Sequence, residues 1–228
     1  MNTPHPTTTH PTTTRPTATH SSATHPSTPL RDVIGLDGRP PRLADSVLIM
    51  IDFQNTYRTG VMALRGADEA LAASARLLGR ARAAGTPVVH VVNDGGEGTP
   101  YDIRAHIGAI SDEVAPADGE PVVVKRFPDA FHATDLEKTL SGLGAAPGKD
   151  LVLAGFMTHM CVAFTAQGAF QHGYRPTVVA EATATRALRA PDGTVLPAAA
   201  LKAAALTTVT DLFGTVVADV DALDALDA

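Results

Sequence analysis

Cys161 is the only cysteine in the 228-residue chain, and it lies in the stretch AGFMTHMCVAF (154–164), just after the apolar run DLVLAG (150–155). A thiol becomes a nucleophile when a base takes its proton or a cation favours its ionised form. Without such neighbours, a lone cysteine packs as a small buried hydrophobe. Two further ionisable residues hold comparable positions: Asp52 closes SVLIMID (46–52) and Lys125 closes EPVVVK (120–125). A carboxylate beside a thiol opposes its ionisation by repulsion, yet accepts its proton directly, and an ammonium offsets negative charge. Brought together, the three make a nucleophile with its own general base. Taken singly, Asp52 reads as a loop cap, Lys125 as a solvated strand end and Cys161 as a packed thiol.

The elements that must position them follow from the hydrophobic pattern. SVLIMID is apolar throughout rather than alternating, as in a strand covered on both faces. GADEALAASARLLGRARAAG (66–85) sets Leu71, Ala75, Leu78 and Ala81 on one helical face, with Gly85 as the stop. PVVHVV (87–92) and EPVVVK are the next two strands, with the loop NDGGEGTPYD between them. Thr134 and Glu137 have capping-box spacing and predict a helix to about Leu143. DLVLAG is the fourth strand, and a helix is predicted from Met160 to His172, closed by Gly173. RPTVVAEAT (175–183), an Ala-rich helix from about Pro197 to Leu212, and GTVVADV (214–220) complete the pattern. Strands alternating with helices predict an α/β fold of three layers, a parallel sheet covered on both faces. Ligands bind such sheets beyond the carboxyl ends of the strands. Asp52, Lys125 and Cys161 all fall on that edge, with Cys161 in the first turn of a helix whose N–H groups and dipole favour a thiolate.

Bulk properties narrow the function. Hydrophobic residues at 44% and charged residues at 18% fit one globular core, and the net charge of -6 offers no basic field for nucleic acid or an anionic membrane. No apolar run approaches the roughly 20 residues of a membrane span. A single cysteine rules out an internal disulfide framework and fits a reducing cytoplasm. Of the first 29 residues, 24 are Thr, Pro, His or Ser, and Arg15 carries the only charge. That composition predicts a disordered tail over residues 1–29 without the apolar core of a secretory signal, and a domain from Leu30 onward. His5, His10, His20 and His25 are too irregularly spaced for a built metal site.

LIMIDFQN (48–55), VVVKRFPDAFHATDL (122–136), and LVLAGFMTHMCV (151–162) followed by GYRPTVVAEATAT (173–185) occur in this order. They closely resemble the isochorismatase-like cysteine hydrolases, over a span from about Asp45 to Phe213. The resemblance implies a six-stranded Rossmann-like sheet, assembly into homo-oligomers (dimers or tetramers), and a catalytic triad on Asp52, Lys125 and Cys161. It also implies a cis peptide at Phe156–Met157 and an oxyanion hole made by the backbone N–H groups of Met157 and Cys161. In that reading the thiolate attacks an amide or related carbonyl and a thioester follows, with no cofactor. Gln54 and Asn55 line or brace the site, and Phe127 and Phe131 pack on the substrate or in the core. His159 belongs to the turn, since Asp52 already serves as base.

Family members that hydrolyse nicotinamide carry a metal site with an Asp-x-His element after the second strand. Here Asp94 is followed by two glycines, and the next histidine along the chain is His106, so no metal is expected. Dedicated isochorismatases, which cleave an enol ether, often lack the cysteine. Its presence points to C–N bond hydrolysis, and the motifs look similar to streptothricin hydrolase-type amidohydrolases, which open a lactam. The expected partner is therefore a small-molecule amide or lactam. Enol-ether hydrolysis and a non-catalytic binding protein on the same fold remain the alternatives.

Overall fold

In the computed structural model, residues 27–224 are described. Most of the tail expected over residues 1–29 lies outside them. The first element is a single helical turn, α1 (Leu30–Val33), and the first strand is β1 (Ser46–Ile51). Helix α2 (Ala67–Ala83), β2 (Val88–Asn93), β3 (Val122–Lys125), α3 (Leu136–Gly142) and β4 (Asp150–Phe156) follow. Then come α4 (Ala163–Gln171), β5 (Arg175–Ala184), β6 (Leu188–Arg189), β7 (Val195–Leu196), α5 (Ala198–Thr208), β8 (Thr215–Val217) and α6 (Asp221–Asp224). Six strands form one sheet in the order β3-β2-β1-β4-β5-β8, and every neighbouring pair is parallel.

All six residues of β1 are buried because the strand is covered on both faces. Its alternation divides them between two cores. Leu48 and Met50 pack with Leu71, Leu77 and Leu78 of α2. Val47, Ile49 and Ile51 pack with Leu136 and Leu140 of α3 and with Ala166 and Ala169 of α4. Each of these large side chains, fully buried, contributes about 1.5–3 kcal/mol relative to exposure. This is the three-layer α/β architecture that the sequence predicts.

Edge strand β3 is different: Val122 and Val124 are exposed while Val123 and Lys125 are buried. The period-2 pleat thus turns Lys125 inward, on the face that Val123 contributes to the core with α3 and α4. A solvated strand end, the plainer reading of this lysine, does not hold.

Four local features depart from the sequence reading. The helix expected from Met160 begins as a π-helical turn over Thr158–Val162, and regular α-helix starts only at Ala163. Its wide turn shows in the Val162 N–H, which reaches the Met157 carbonyl five residues back at 3.3 Å. The Ala-rich helix likewise gives way to a π turn over Val209–Phe213. The capping box forms only in part, with the Thr134 hydroxyl accepting from the Leu136 N–H at 3.2 Å instead of from Glu137. The β6–β7 hairpin has no counterpart in the sequence reading, because two-residue strands leave no hydrophobic period to detect.

Candidate active site

The carboxyl edge of the sheet is shaped by two backbone adjustments. β1 ends at Ile51, and Asp52 turns into the left-handed region with a φ of 53°. Its N–H still donates to the Val91 carbonyl at 2.8 Å, so the side chain is presented from the very end of the parallel ladder. Non-glycine residues there cost on the order of 1–3 kcal/mol, and Asp is among the more tolerant types. On the neighbouring strand, Gly155 has a φ of 148°, and a Cβ on it would stand 2.1 Å from the Ile51 carbonyl oxygen. Only glycine lets β4 close onto β1 at that level. The Phe156–Met157 peptide that follows is cis, and the π turn then brings Cys161 back over the strand ends.

Asp52, Lys125 and Cys161 meet at this point. Lys125 Nζ lies 2.7 Å from Asp52 Oδ2, and both side chains are entirely shielded from solvent. The same ammonium donates to Cys161 Sγ at 3.2 Å. The Asp52–Lys125 contact, at 2.7 Å, is an ion pair. Cys161 itself is 8% exposed.

The electrostatics correct one expectation. Burial, followed by the nearby Asp52 charge, pushes the Cys161 thiol up to about 12 and outweighs the opposing Lys125 ammonium. The resting group is therefore a neutral thiol, not the thiolate that a helix N-terminus suggested. Burial also raises Asp52, against the opposing pull of Lys125. Lys125 keeps its proton: burial is the largest single influence and lowers it, but the Asp52 and Cys161 interactions together raise it. The arrangement is a protonated thiol held between a cation and a carboxylate of raised basicity. Chemically, such an arrangement can move a proton from sulfur to carboxylate.

The residues expected around the substrate divide differently. Gln54 is fully buried and braces the scaffold: its Nε2 donates to the Asn93 and Gly108 carbonyls at 3.0 and 2.7 Å, and its Oε1 accepts from the Asn93 N–H. These three bonds engage both ends of the amide in bracing the loop. Asn55 does similar work, donating to the His106 carbonyl and accepting from the Ser111 hydroxyl. Phe131 is a core residue, stacked on His172 with ring centroids 4.8 Å apart. Phe127 is 49% exposed and meets the His132 ring edge-on. His159 is held in the turn by a bond between its Nδ1 and the Thr185 hydroxyl, and burial together with Arg186 lowers its pKa. Asp94 faces the Arg104 and Arg126 guanidinium groups at 3.7 and 3.9 Å. Among the described residues no cluster of His, Cys, Asp or Glu could hold a metal ion.

Three side chains near the site were missed. Tyr57 is buried edge-on to Phe156 and Tyr101, close enough for the charges of Asp52 and Cys161 to act on its phenol; burial is the main cause of its raised pKa. Tyr57 follows DFQN at the end of β1, and Tyr101 lies in a Gly-rich loop, so neither had a periodic signal. Arg186, just past the end of β5, has a buried Nε without a partner, while its Nη1 meets Met62 Sδ at 3.4 Å. Its charge is felt by both His159 and Tyr101. Two residues on from Ala184, only its place at a strand end pointed to the site.

A parallel sheet in this order defines a three-layer α/β fold with a carboxylate, an ammonium and a thiol gathered at its carboxyl edge. Residues 46–218 match the isochorismatase domain, and the chain belongs to the isochorismatase family. It is 34% identical to the secreted isochorismatase effector Isc1 of Verticillium dahliae, over 84% of this chain and 97% of that one. It is 35% identical to a streptothricin hydrolase of Streptomyces noursei over 64% of this chain and 57% of the relative. A maleamate amidohydrolase of Pseudomonas putida is 34% identical over 65% of this chain and 74% of its own. The crystal structure of an isochorismatase from Pseudomonas putida KT2440 superposes with a TM-score of 0.80 at 39% identity, covering 86% of this chain and 98% of that one. The chain is an isochorismatase-family hydrolase with amidohydrolase relatives.

Proposed function

We propose that the protein is a cysteine amidohydrolase that cleaves a C–N bond of a small molecule through a thioester. The observation that carries this reading is the single ammonium of Lys125 touching both Asp52 and Cys161 at 2.7 and 3.2 Å. Asp52 takes the Cys161 proton as the sulfur attacks the carbonyl carbon. The Met157 and Cys161 backbone N–H groups hold the tetrahedral oxyanion, and Lys125 balances the negative charge. Protonated Asp52 passes its proton to the leaving nitrogen, and the carbon–nitrogen bond breaks. Asp52 then takes a proton from water as the water attacks the thioester, which frees the acid and the thiol. Because the resting thiol is neutral, the proton moves only with a substrate in place, and water stays excluded from the buried pair until then.

Arg186 supports a narrower substrate class. A half-buried guanidinium at the rim of this edge, with no carboxylate partner among the described residues, suits an amide that also bears a carboxylate. One amidohydrolase relative acts on maleamate, a compound of that kind. A lactam is the second reading, favoured by the similarity to streptothricin hydrolase. A cytoplasmic location and a homo-oligomeric assembly belong to the same proposal; no helix among the described residues is long and apolar enough to cross a membrane.

The test is turnover of a panel of small amides and lactams, each with and without a carboxylate, by the wild type and by Cys161→Ala. Release of amine or ammonia from a carboxylate-bearing amide, lost in Cys161→Ala, is expected. Cleavage of an enol ether that persists in Cys161→Ala would sink the amidohydrolase reading.

A further inference from the structure

One sizeable cavity among the described residues lies away from the carboxyl edge. A space of about 500 Å³ opens at the opposite end of the sheet, where Asp150, Arg175 and Thr215 begin β4, β5 and β8. β4 runs from this cavity to the turn that carries Cys161, about 20 Å at 3.3 Å per residue. The cavity is thus separate from the candidate active site. Its volume falls within the roughly 300–1,000 Å³ of small-molecule sites.

Its walls combine apolar surface with uncancelled positive charge. Leu36, Phe170 and Phe213 supply apolar wall, with the two phenyl rings 6.0 Å apart. Arg39 is paired with Asp37, and Arg175 with Asp150, so these four charges cancel. Arg31 is different. It is 7% exposed, its Nη1 and Nη2 donate to the uncharged carbonyls of Gly214 and Asp37, and its Nε has no partner. No carboxylate answers this charge among the described residues. A buried cation without a counter-ion is costly, and an anion entering the cavity relieves that cost.

We infer that this amino-edge cavity is a second ligand site, for a small monoanion with an apolar or aromatic body, such as an aryl carboxylate. The carboxylate lies toward Arg31 and the ring between Leu36 and the Phe170–Phe213 pair. The inference does not rest on the amidohydrolase reading.

Calorimetric titration of the full chain with 2-naphthoate tests it, with neutral 2-naphthamide as control. The carboxylate is expected to bind, with affinity falling as salt is raised, and the amide to bind at least about tenfold more weakly. Leu36→Trp adds bulk to the cavity wall while leaving the Arg31 guanidinium partners Gly214 and Asp37 in place, and should abolish binding; Arg31→Met should weaken it about tenfold or more. Should Arg31→Met fail to fold, Leu36→Trp and the naphthamide control decide the matter. Cys161→Ala and Arg186→Met should bind the probe as the wild type does. Loss of binding in either of these would put the probe at the carboxyl edge and overturn the inference. So would equal affinity for amide and carboxylate, an undisturbed Leu36→Trp, or no binding at millimolar probe.

Discussion

Lys125 donates to the Cys161 sulfur at 3.2 Å, yet the thiol is held up at about 12 because burial and the Asp52 charge together outweigh that cation. Removing the carboxylate charge should therefore separate reactivity from turnover. In Asp52→Asn the thiol keeps Lys125 and loses its repulsive neighbour, so its pKa falls. Iodoacetamide should label Cys161 faster in this variant than in the wild type at pH 8, while amide turnover is lost for want of a proton acceptor. Mass spectrometry of the labelled protein reads the first effect. Slower labelling in Asp52→Asn would mean that Asp52 activates the resting thiol instead of suppressing it.

Cys161→Ala should abolish turnover with the fold intact, since the change barely alters volume. As Asp52, Lys125 and Cys161 act as one unit, Cys161→Ala combined with Asp52→Asn should be little slower than Cys161→Ala alone. Multiplying losses in single-turnover assays would count against a shared step.

Lys125→Met should be the most destabilising of the three changes. It leaves Asp52 buried without its cation, and breaking such a pair costs about 3–5 kcal/mol. Combining it with Asp52→Asn should restore much of that loss, because no charge then remains in the pocket. Denaturant midpoints check both statements.

Stability should fall in alkali. The folded pKa of Cys161 is raised from 9.0 to about 12, and those of Lys125 and Tyr57 are raised as well. Below the unfolded values these groups carry the same protons in both states. As pH climbs from about 9 toward 12, the unfolded chain releases its thiol proton first, and unfolding is favoured. The urea midpoint should drop across that window, and less steeply in Cys161→Ala.

Two glycines should respond unequally to alanine. At Gly155 the added Cβ meets the Ile51 backbone oxygen at 2.1 Å, whereas at Gly168 it meets Asp129 Oδ1 at 2.3 Å, the tip of a side chain. Backbone cannot step aside and a carboxylate can. Gly155→Ala should fail to accumulate as soluble protein, while Gly168→Ala should fold with a lowered melting temperature. The strand end that presents Asp52 thus depends on one missing methyl group.

The sheet was legible because β1 and β4 are apolar on both faces, a pattern that few other structures require. The edge position of Asp52, Lys125 and Cys161 followed from strand ends alone. The direction of Lys125 did not: VVVK has no polar alternation, so only the exposed Val122 and Val124 of the folded edge strand show which way it points. The π turn at Cys161 was hidden because a five-residue hydrogen-bond spacing leaves no mark in a hydrophobic pattern. Gln54 could be read as lining or bracing the site, since the loop it braces, around Gly108, is far away in the chain. Arg186 and the amino-edge cavity depend on packing between distant segments, and Arg31 reaches Gly214 across 183 positions.

The burial of Cys161 also governs how the protein ages. With one cysteine in the chain, no disulfide can form within a molecule, and in the purified protein a disulfide joins two copies. The native thiol is shielded and protonated, so collision of folded molecules does not join them. An opened chain exposes a thiol near its ordinary value of 9.0, several orders of magnitude of thiolate fraction above the folded state. Covalent dimers accumulating in stored protein therefore count the molecules that have opened, and reductant protects the sample by erasing that record while the opening continues.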